Sequence, residues 1–228
     1  MKLIMENWRG FLNEGIDDRL EDLLEMKNEK GAMGISISGT GKLIHFYYTW
    51  FPLKGRPFVI PARGNFARSF LKDKGGPEEA PYGQVVIQQP APNKYGQCDN
   101  AYIIHFTSAD KGWGPLLYEA ALEWATENGG GLTPDRREVS DDASRVWSKY
   151  LQRGDVDKSQ LDVLHYDSES RKYPKKTPDN PKDDCVQDKS IEVGAEEWAD
   201  TPHSKLYKKD KDIISRLASA EPSRWRRT

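Results

Sequence analysis

Two glycines at the start of a predicted helix, with a lysine before them, form the stretch of this sequence best suited to chemistry. Gly112 and Gly114 flank Trp113, and Lys111 precedes them. Glycine lets the backbone approach a ligand closely, and the first N–H groups of a helix favour anions because they lie at the positive end of its dipole. The stretch therefore predicts a phosphate-binding turn. The alternative is a tight strand-to-helix turn without a ligand.

The elements that position this turn can be predicted from residue spacing. Residues 101–107 are β-branched and aromatic, which is typical of a strand. Apolar residues after Gly114 recur at steps of three and four, which predicts a helix, and three glycines after Asn128 end it. We predict a short second strand at Leu132-Thr133 and a second helix after Ser140, a favourable N-cap residue.

This order of strand, glycine turn, helix, strand and helix resembles the acyl-CoA-binding core of the GNAT (N-acetyltransferase) superfamily. In that family a Gln/Arg-x-x-Gly-x-Gly/Ala loop holds the pyrophosphate of coenzyme A. Gly112 and Gly114 match the loop glycines, and Leu116-Leu117 match the apolar pair behind them. The resemblance implies an α+β fold, a mixed but mostly antiparallel sheet flanked by helices. It also implies acetyl-CoA or another acyl-CoA as the cofactor and an amine as the acceptor.

The resemblance also implies roles for individual residues. The pyrophosphate would lie at Lys111, Gly112, Trp113 and Gly114, and the pantetheine arm would lie along the backbone near Phe106 and Ser108. The adenosine phosphates would lie near Arg136 or its neighbour Arg137; the alternative is that these arginines are ordinary exposed charges.

His105 on the predicted strand is the candidate general base, because an imidazole titrates near neutral pH; the alternative is a structural histidine. The tyrosine that serves the family as general acid falls on Trp147, so Tyr150 is the candidate acid. The basic or amide residue that opens the family's loop falls on Ala109. These departures favour a second hypothesis, a catalytically inactive phage virion or host-interaction protein that keeps the fold as a scaffold.

The N-terminal residues carry a separate resemblance. Leu12-Asn13-Glu14-Gly15 resembles the sites at which prohead proteases of tailed bacteriophages trim capsid proteins, and residues 1–12 are similar in style to proteins of marine phages. This implies a phage origin and association with the virion. The alternative interpretation of residues 3–26 is an amphipathic helix that packs on the sheet.

Charge and composition limit the partners. The chain has 34 basic and 36 acidic residues and a net charge of −2, so no overall charge attracts nucleic acid. A predicted helix over 203–220 is rich in lysine and is followed by Arg224-Trp225-Arg226-Arg227, which adds nucleic acid as a candidate partner; the alternative is a solvated surface. We expect Glu119 and Glu123 to face solvent.

The sequence also predicts the cellular compartment and the domain organisation. Cys98 and Cys185 are far apart and show no paired spacing, which argues against a disulfide or a zinc site and favours a reducing host cytoplasm. No apolar run reaches membrane-spanning length, so we expect no membrane partner. The predicted parts are an N-terminal helix over 1–30, a GNAT-like domain over 31–155, and a linker with a basic helix over 156–228. Within that linker, 166–189 has the composition of an exposed segment.

Overall fold

The computed structural model describes residues 15–28, 31–40, 43–51, 82–89, 98–135, 139–161, 185, 195–220 and 225–227. The described chain mixes helices and strands, and most of its strand pairs are antiparallel, which confirms the predicted α+β class. The helices are α1 Ile16–Glu25, α2 Gly114–Asn128, α3 Asp141–Gln152, α4 Ala195–Asp200 and α5 Ile213–Ala220. The strands are β1 Lys27–Asn28, β2 Gly31–Thr40, β3 Leu43–Phe51, β4 Gly83–Gln88, β5 Tyr102–Ala109, β6 Leu132–Thr133, β7 Asp157–Gln160, β8 Lys205–Lys208 and β9 Trp225–Arg227.

The chain forms two compact units that differ from the predicted parts, because each unit combines segments distant in sequence. Unit 1 comprises Met1–Val86, Phe106–Ala121 and Lys211–Thr228, and unit 2 comprises Ile87–His105 and Leu122–Asp210. Three elements, β4, β5 and α2, cross a unit boundary and contribute residues to both units.

Unit 1 contains the strand order β1–β2–β3–β4–β5. Strands β2 and β3 form a long antiparallel hairpin that pairs from Ala32↔Phe51 to Thr40↔Leu43, and β9 runs parallel to β2. Helix α1 buries Leu20 and Leu23 and exposes the acidic residues between them, as an amphipathic helix should. The part of the predicted N-terminal helix before Gly15 lies outside the described residues.

Unit 2 contains the strand order β5–β6–β8–β7. Strands β5 and β6 are parallel, with Tyr102 opposite Leu132, as expected for two strands joined through a helix. Helix α3 begins as predicted, because the Ser140 hydroxyl accepts a hydrogen bond from the N–H of Ala143 at 3.3 Å. The rings of Trp147 and Tyr207 stack at 5.2 Å in the core of the unit.

The prediction of a helix over 203–220 was wrong in its first half. Residues Lys205–Lys208 form strand β8, which pairs with β6 and β7, and helix α5 begins only at Ile213. Strand pairing overrides the local spacing here because Leu206 and Tyr207 are both buried. Two of the lysines make internal bonds: Lys205 donates to Gln160 Oε1 at 2.6 Å, and Lys209 donates to Glu123 Oε1 at 2.8 Å.

That last contact also overturns the expected exposure of the glutamates on α2. Glu119 is 1% exposed and Glu123 is fully buried. A carboxylate is buried only when it is paired or hydrogen-bonded, and the ammonium group of Lys209 meets that requirement for Glu123. The helix therefore has no solvent-facing acidic stripe at these two positions.

The prediction that the cysteines do not pair was also wrong. Cys98 and Cys185 form a disulfide, and both lie buried in an apolar cluster with Ala101, Leu161 and Leu206. Sequence spacing carries no information on a pair separated by 87 residues, because only the fold brings the two thiols together. Cys185 is therefore neither an exposed linker residue nor a reactive thiol. Disulfides are rare in the cytosol, so the cysteine-based argument for a reducing cytoplasm no longer holds.

A left-handed turn leads from this disulfide into β5. Cys98, Asp99 and Asn100 have φ angles of 48°, 51° and 58°, a region in which most L-residues are strained. Gly130 closes against the turn: its N–H donates to the Asn100 carbonyl at 2.9 Å, and a Cβ at this position would lie 1.9 Å from the Asp99 oxygen. The glycines that end α2 thus also allow this close approach.

Within the part of the chain that the structure describes, no helix combines the length and apolarity needed to cross a lipid bilayer.

The disulfide predicts a thiol count and a stability effect. We expect protein purified without reductant to show no reactive thiol in denaturant and two after reduction. Reduction should lower the free energy of unfolding by about 2–5 kcal/mol, because it releases a long cross-linked loop. A thiol-reagent titration and urea unfolding curves with and without dithiothreitol measure both. Two reactive thiols in unreduced, denatured protein would contradict the bond.

Candidate functional site

In unit 1, no described strand pairs with the outer edge of the second half of β5. Strand β6 pairs with β5 only at Tyr102 and Ile103, so Phe106 to Ala109 form the outermost described strand of unit 1. Phe106 is 42% exposed, and its neighbour His105 is exposed as well. Successive side chains on a strand point to opposite faces, so Phe106 and Ser108 share one exposed face, whereas Thr107 on the other face is half-buried.

The glycine turn follows β5 directly in the chain. Gly112 has φ +84°, a conformation that glycine adopts without strain, and helix α2 begins at Gly114. The N–H of Trp113 donates to the Asp110 carbonyl at 3.1 Å, so it is used inside the turn. The remaining first-turn donors are the N–H groups of Gly114 and Leu116, since helix geometry gives them no intrahelical acceptor and Pro115 has no N–H. They are the candidate donors for an anion, with Gly114 half-buried and Leu116 fully buried.

An aromatic cluster holds the turn from its buried side. Trp113 is 6% exposed, and the Tyr48 hydroxyl donates a hydrogen bond to its carbonyl oxygen at 2.7 Å. The Trp113 ring also contacts the rings of Tyr48, at 5.3 Å, and Tyr82, at 4.7 Å. Burial raises the pKa of Tyr48 well above its usual value, and the nearby charge of Arg19 opposes this only in part. Tyr48 therefore remains a protonated donor.

Arg19 of helix α1 brings a positive charge to the same cluster. Its guanidinium carbon lies 5.4 Å from the centre of the Trp113 ring, and its Nη1 donates to Asp22 Oδ2 at 2.9 Å. Sequence reasoning missed this residue, because α1 and the glycine turn are far apart in the chain. No local spacing signals the contact.

Two further contacts fix β5 within unit 1. The hydroxyls of Thr107 and Tyr118 are 3.2 Å apart, which ties the strand to helix α2. On its other side, the N–H of Asp110 donates to the Tyr82 carbonyl, and Gly83 lies so close that a Cβ would be 2.4 Å from the Ala109 Cα. The strand is therefore held by its neighbours although its side chains are open to solvent.

The predicted site residues fall into two groups. Phe106, Ser108, Lys111, Gly112, Trp113 and Gly114 form one continuous segment of unit 1, and Phe106, Ser108 and Lys111 are exposed. Arg136 lies outside the described residues. His105 is the exposed last residue of its segment in unit 2, next to Phe106 in the chain.

Tyr150 lies in the aromatic core of unit 2. It is 3% exposed, its ring meets Trp147 edge-on at 5.7 Å, and the Arg153 guanidinium lies 5.4 Å from its centre. Trp147 and the candidate acid Tyr150 therefore pack in the same ring cluster.

No protein-family model matches the chain, and neither a curated protein nor a solved structure is significantly similar to it. Among the described residues, no group of three or more His, Cys, Asp or Glu side chains could hold a metal ion.

Tyr48→Phe tests how the glycine turn is held. The substitution removes the hydroxyl, and the Trp113 carbonyl keeps only its helix bond from the Leu117 N–H, so we expect the free energy of unfolding to fall by about 0.5–1.5 kcal/mol. Urea unfolding followed by tryptophan fluorescence measures the change. A loss below about 0.5 kcal/mol, typical of a surface substitution, would show that the bond does not hold the turn.

The raised pKa of Tyr48 also predicts a pH dependence. A hydroxyl whose pKa is higher in the folded than in the unfolded chain stabilises the fold fully below the unfolded value, about 10, and this contribution is lost as the pH rises beyond it. We therefore expect the stability difference between wild type and Tyr48→Phe to be constant from about pH 7 to 9 and to shrink above about pH 10. Urea unfolding at each pH measures it. A difference that stays constant through that range would contradict the burial of this hydroxyl.

Proposed function

We propose that the protein is an acyl-CoA-dependent N-acyltransferase whose cofactor binds along the second half of β5 and at the glycine turn. One observation carries the proposal: a strand edge that no described strand pairs with leads without interruption into a positive-φ glycine and the N-terminus of a 15-residue helix. An extended arm with a phosphate group at one end fits such a surface, because the strand offers backbone partners and the helix offers an anion site.

The order of the elements supports the same proposal. Strand β5, the glycine turn, α2, the short parallel strand β6 and then α3 follow one another as the resemblance to the GNAT superfamily implies. The exposed ring of Phe106 adds an apolar surface beside the proposed path of the pantetheine arm.

The residues of the chain would mainly bind the cofactor and orient it. The bound cofactor supplies the acyl group as an activated thioester. The N–H groups of Gly114 and Leu116 and the ammonium group of Lys111 would orient the pyrophosphate, and backbone groups from Phe106 to Ser108 would hold the arm in line. His105 is exposed on β5 and would take the proton that the amine loses as its nitrogen bonds to the acyl carbon. The carbon–sulfur bond of the thioester would break, and the coenzyme A thiolate would leave and take a proton from solvent. We assign no role to Tyr150, because it is buried among aromatic rings.

A second candidate function is a non-catalytic scaffold, such as a phage virion or host-interaction protein. It is favoured because groups expected to act in the site are instead bonded or packed inside the protein. The Trp113 N–H is bonded within the turn, and Trp147 and Tyr150 both pack in the core of unit 2. Such a protein would keep the fold without binding acyl-CoA.

Gly114→Glu separates the two functions. A carboxylate in the first turn favours the helix but repels a bound phosphate, so the fold should persist while binding is lost. We expect wild type to bind acetyl-CoA in calorimetric titrations with a dissociation constant in the micromolar range and Gly114→Glu to bind at least about tenfold more weakly.

Gly154→Glu is the matched control, since a Cβ at Gly154 would meet no atom within 4 Å and the charge change is the same. It should bind as wild type does. No heat and no thermal shift with wild type at millimolar acetyl-CoA would exclude the enzyme and leave the scaffold.

A further inference from the structure

The loop of the GNAT superfamily opens with a basic or amide residue, and the proposed site has no cation at the corresponding position. That position is Ala109, which is exposed at the end of β5 and offers only a methyl group. Lys111 is exposed on the turn itself, and a lysine presents a mobile point charge rather than a planar fork of donors. Arginine is over-represented where proteins recognise phosphates, because its planar fork of N–H groups can bind two phosphate oxygens at once.

The structure brings an arginine to this turn from another element. The Arg19 guanidinium lies over the ring of Trp113, the residue directly before the first residue of α2. Trp113 is also the residue whose carbonyl oxygen accepts the Tyr48 hydrogen bond at 2.7 Å, so Arg19 contacts the residue that the cluster holds in place.

The chemistry of this contact suits an anion site. An aromatic ring engages the face of a guanidinium, whereas anions bind to its N–H edge. The Asp22 partner is a weak competitor, since its side chain is 53% exposed and exposed ion pairs contribute little. A phosphate could therefore take the place of Asp22 while Arg19 keeps its contact with Trp113.

We propose that Arg19 is an anion-binding residue of the glycine turn and takes the place of the basic residue missing at Ala109. The inference rests on the proposed function and deepens it, because it assigns the pyrophosphate of acyl-CoA to a residue of α1. The competing view is that Arg19 only packs on Trp113 and shapes the turn.

The experiment compares three ligands with three variants. The ligands are acetyl-CoA, S-acetylpantetheine, which has the arm without phosphates, and inorganic pyrophosphate. The variants are Arg19→Gln, Arg19→Lys and the control Arg145→Gln. Arg145 makes the same type of i,i+3 ion pair, with Asp142 at 3.0 Å, but lies in unit 2. Calorimetry at low and moderate salt gives the dissociation constants, and near-ultraviolet circular dichroism checks the fold of each variant.

We expect Arg19→Gln to weaken acetyl-CoA and pyrophosphate binding about tenfold, to reduce their salt dependence, and to leave S-acetylpantetheine binding unchanged. Arg19→Lys should recover part of the loss, because it restores the charge without the fork, and Arg145→Gln should match wild type. Equal binding of acetyl-CoA by Arg19→Gln and wild type would overturn the proposal. An equal loss for S-acetylpantetheine would overturn it too, because Arg19 would then only shape the turn.

Failure of the proposed function gives a different pattern. If wild type binds pyrophosphate but not acetyl-CoA, and Arg19→Gln loses the pyrophosphate, the anion site stands and the acyltransferase does not. If wild type binds neither ligand, both are overturned.

Discussion

The carbonyl oxygen of Trp113 is buried where β5 turns into α2. It accepts the first backbone bond of the helix, from the Leu117 N–H, and a second bond from the Tyr48 hydroxyl. The second bond contributes about 0.5–1.5 kcal/mol and fixes the turn against β3. With Trp113 held in place, Gly112 adopts its positive φ, and α2 starts beside a strand edge that no described strand pairs with. The proposed cofactor site and the proposed role of Arg19 both depend on that arrangement, since each is built around the same tryptophan.

In unit 2 the start of β5 is fixed by different means. Three consecutive left-handed residues, Cys98 to Asn100, precede the strand, and they persist because the disulfide, the Gly130 hydrogen bond and the parallel pairing with β6 determine their positions together. The cysteines and the glycines after α2 thus serve the strand that carries the proposed site. An account that considered only the glycine turn would miss this support.

Local patterns in the sequence were sufficient for β5, α2, β6 and α3, because each has a strong periodic signal and a recognisable N-cap or glycine stop. They were insufficient wherever a distant partner decides the outcome. Lys205–Lys208 is a strand because β6 and β7 flank it, and Glu123 is buried because Lys209 pairs with it. The disulfide and the contact between Arg19 and Trp113 likewise join distant segments. For the site, the sequence located the turn but not the residues that support it.

In our proposal, an acyl-CoA lies along the outer half of β5 and at the first turn of α2. Amide hydrogen exchange with and without acetyl-CoA is the decisive experiment, since it reports on backbone N–H groups without any substitution. Binding should slow exchange over Phe106 to Leu116 and leave exchange in α3 of unit 2 unchanged. Unchanged exchange over Phe106 to Leu116 at saturating acetyl-CoA, or protection confined to other segments, would contradict the proposal.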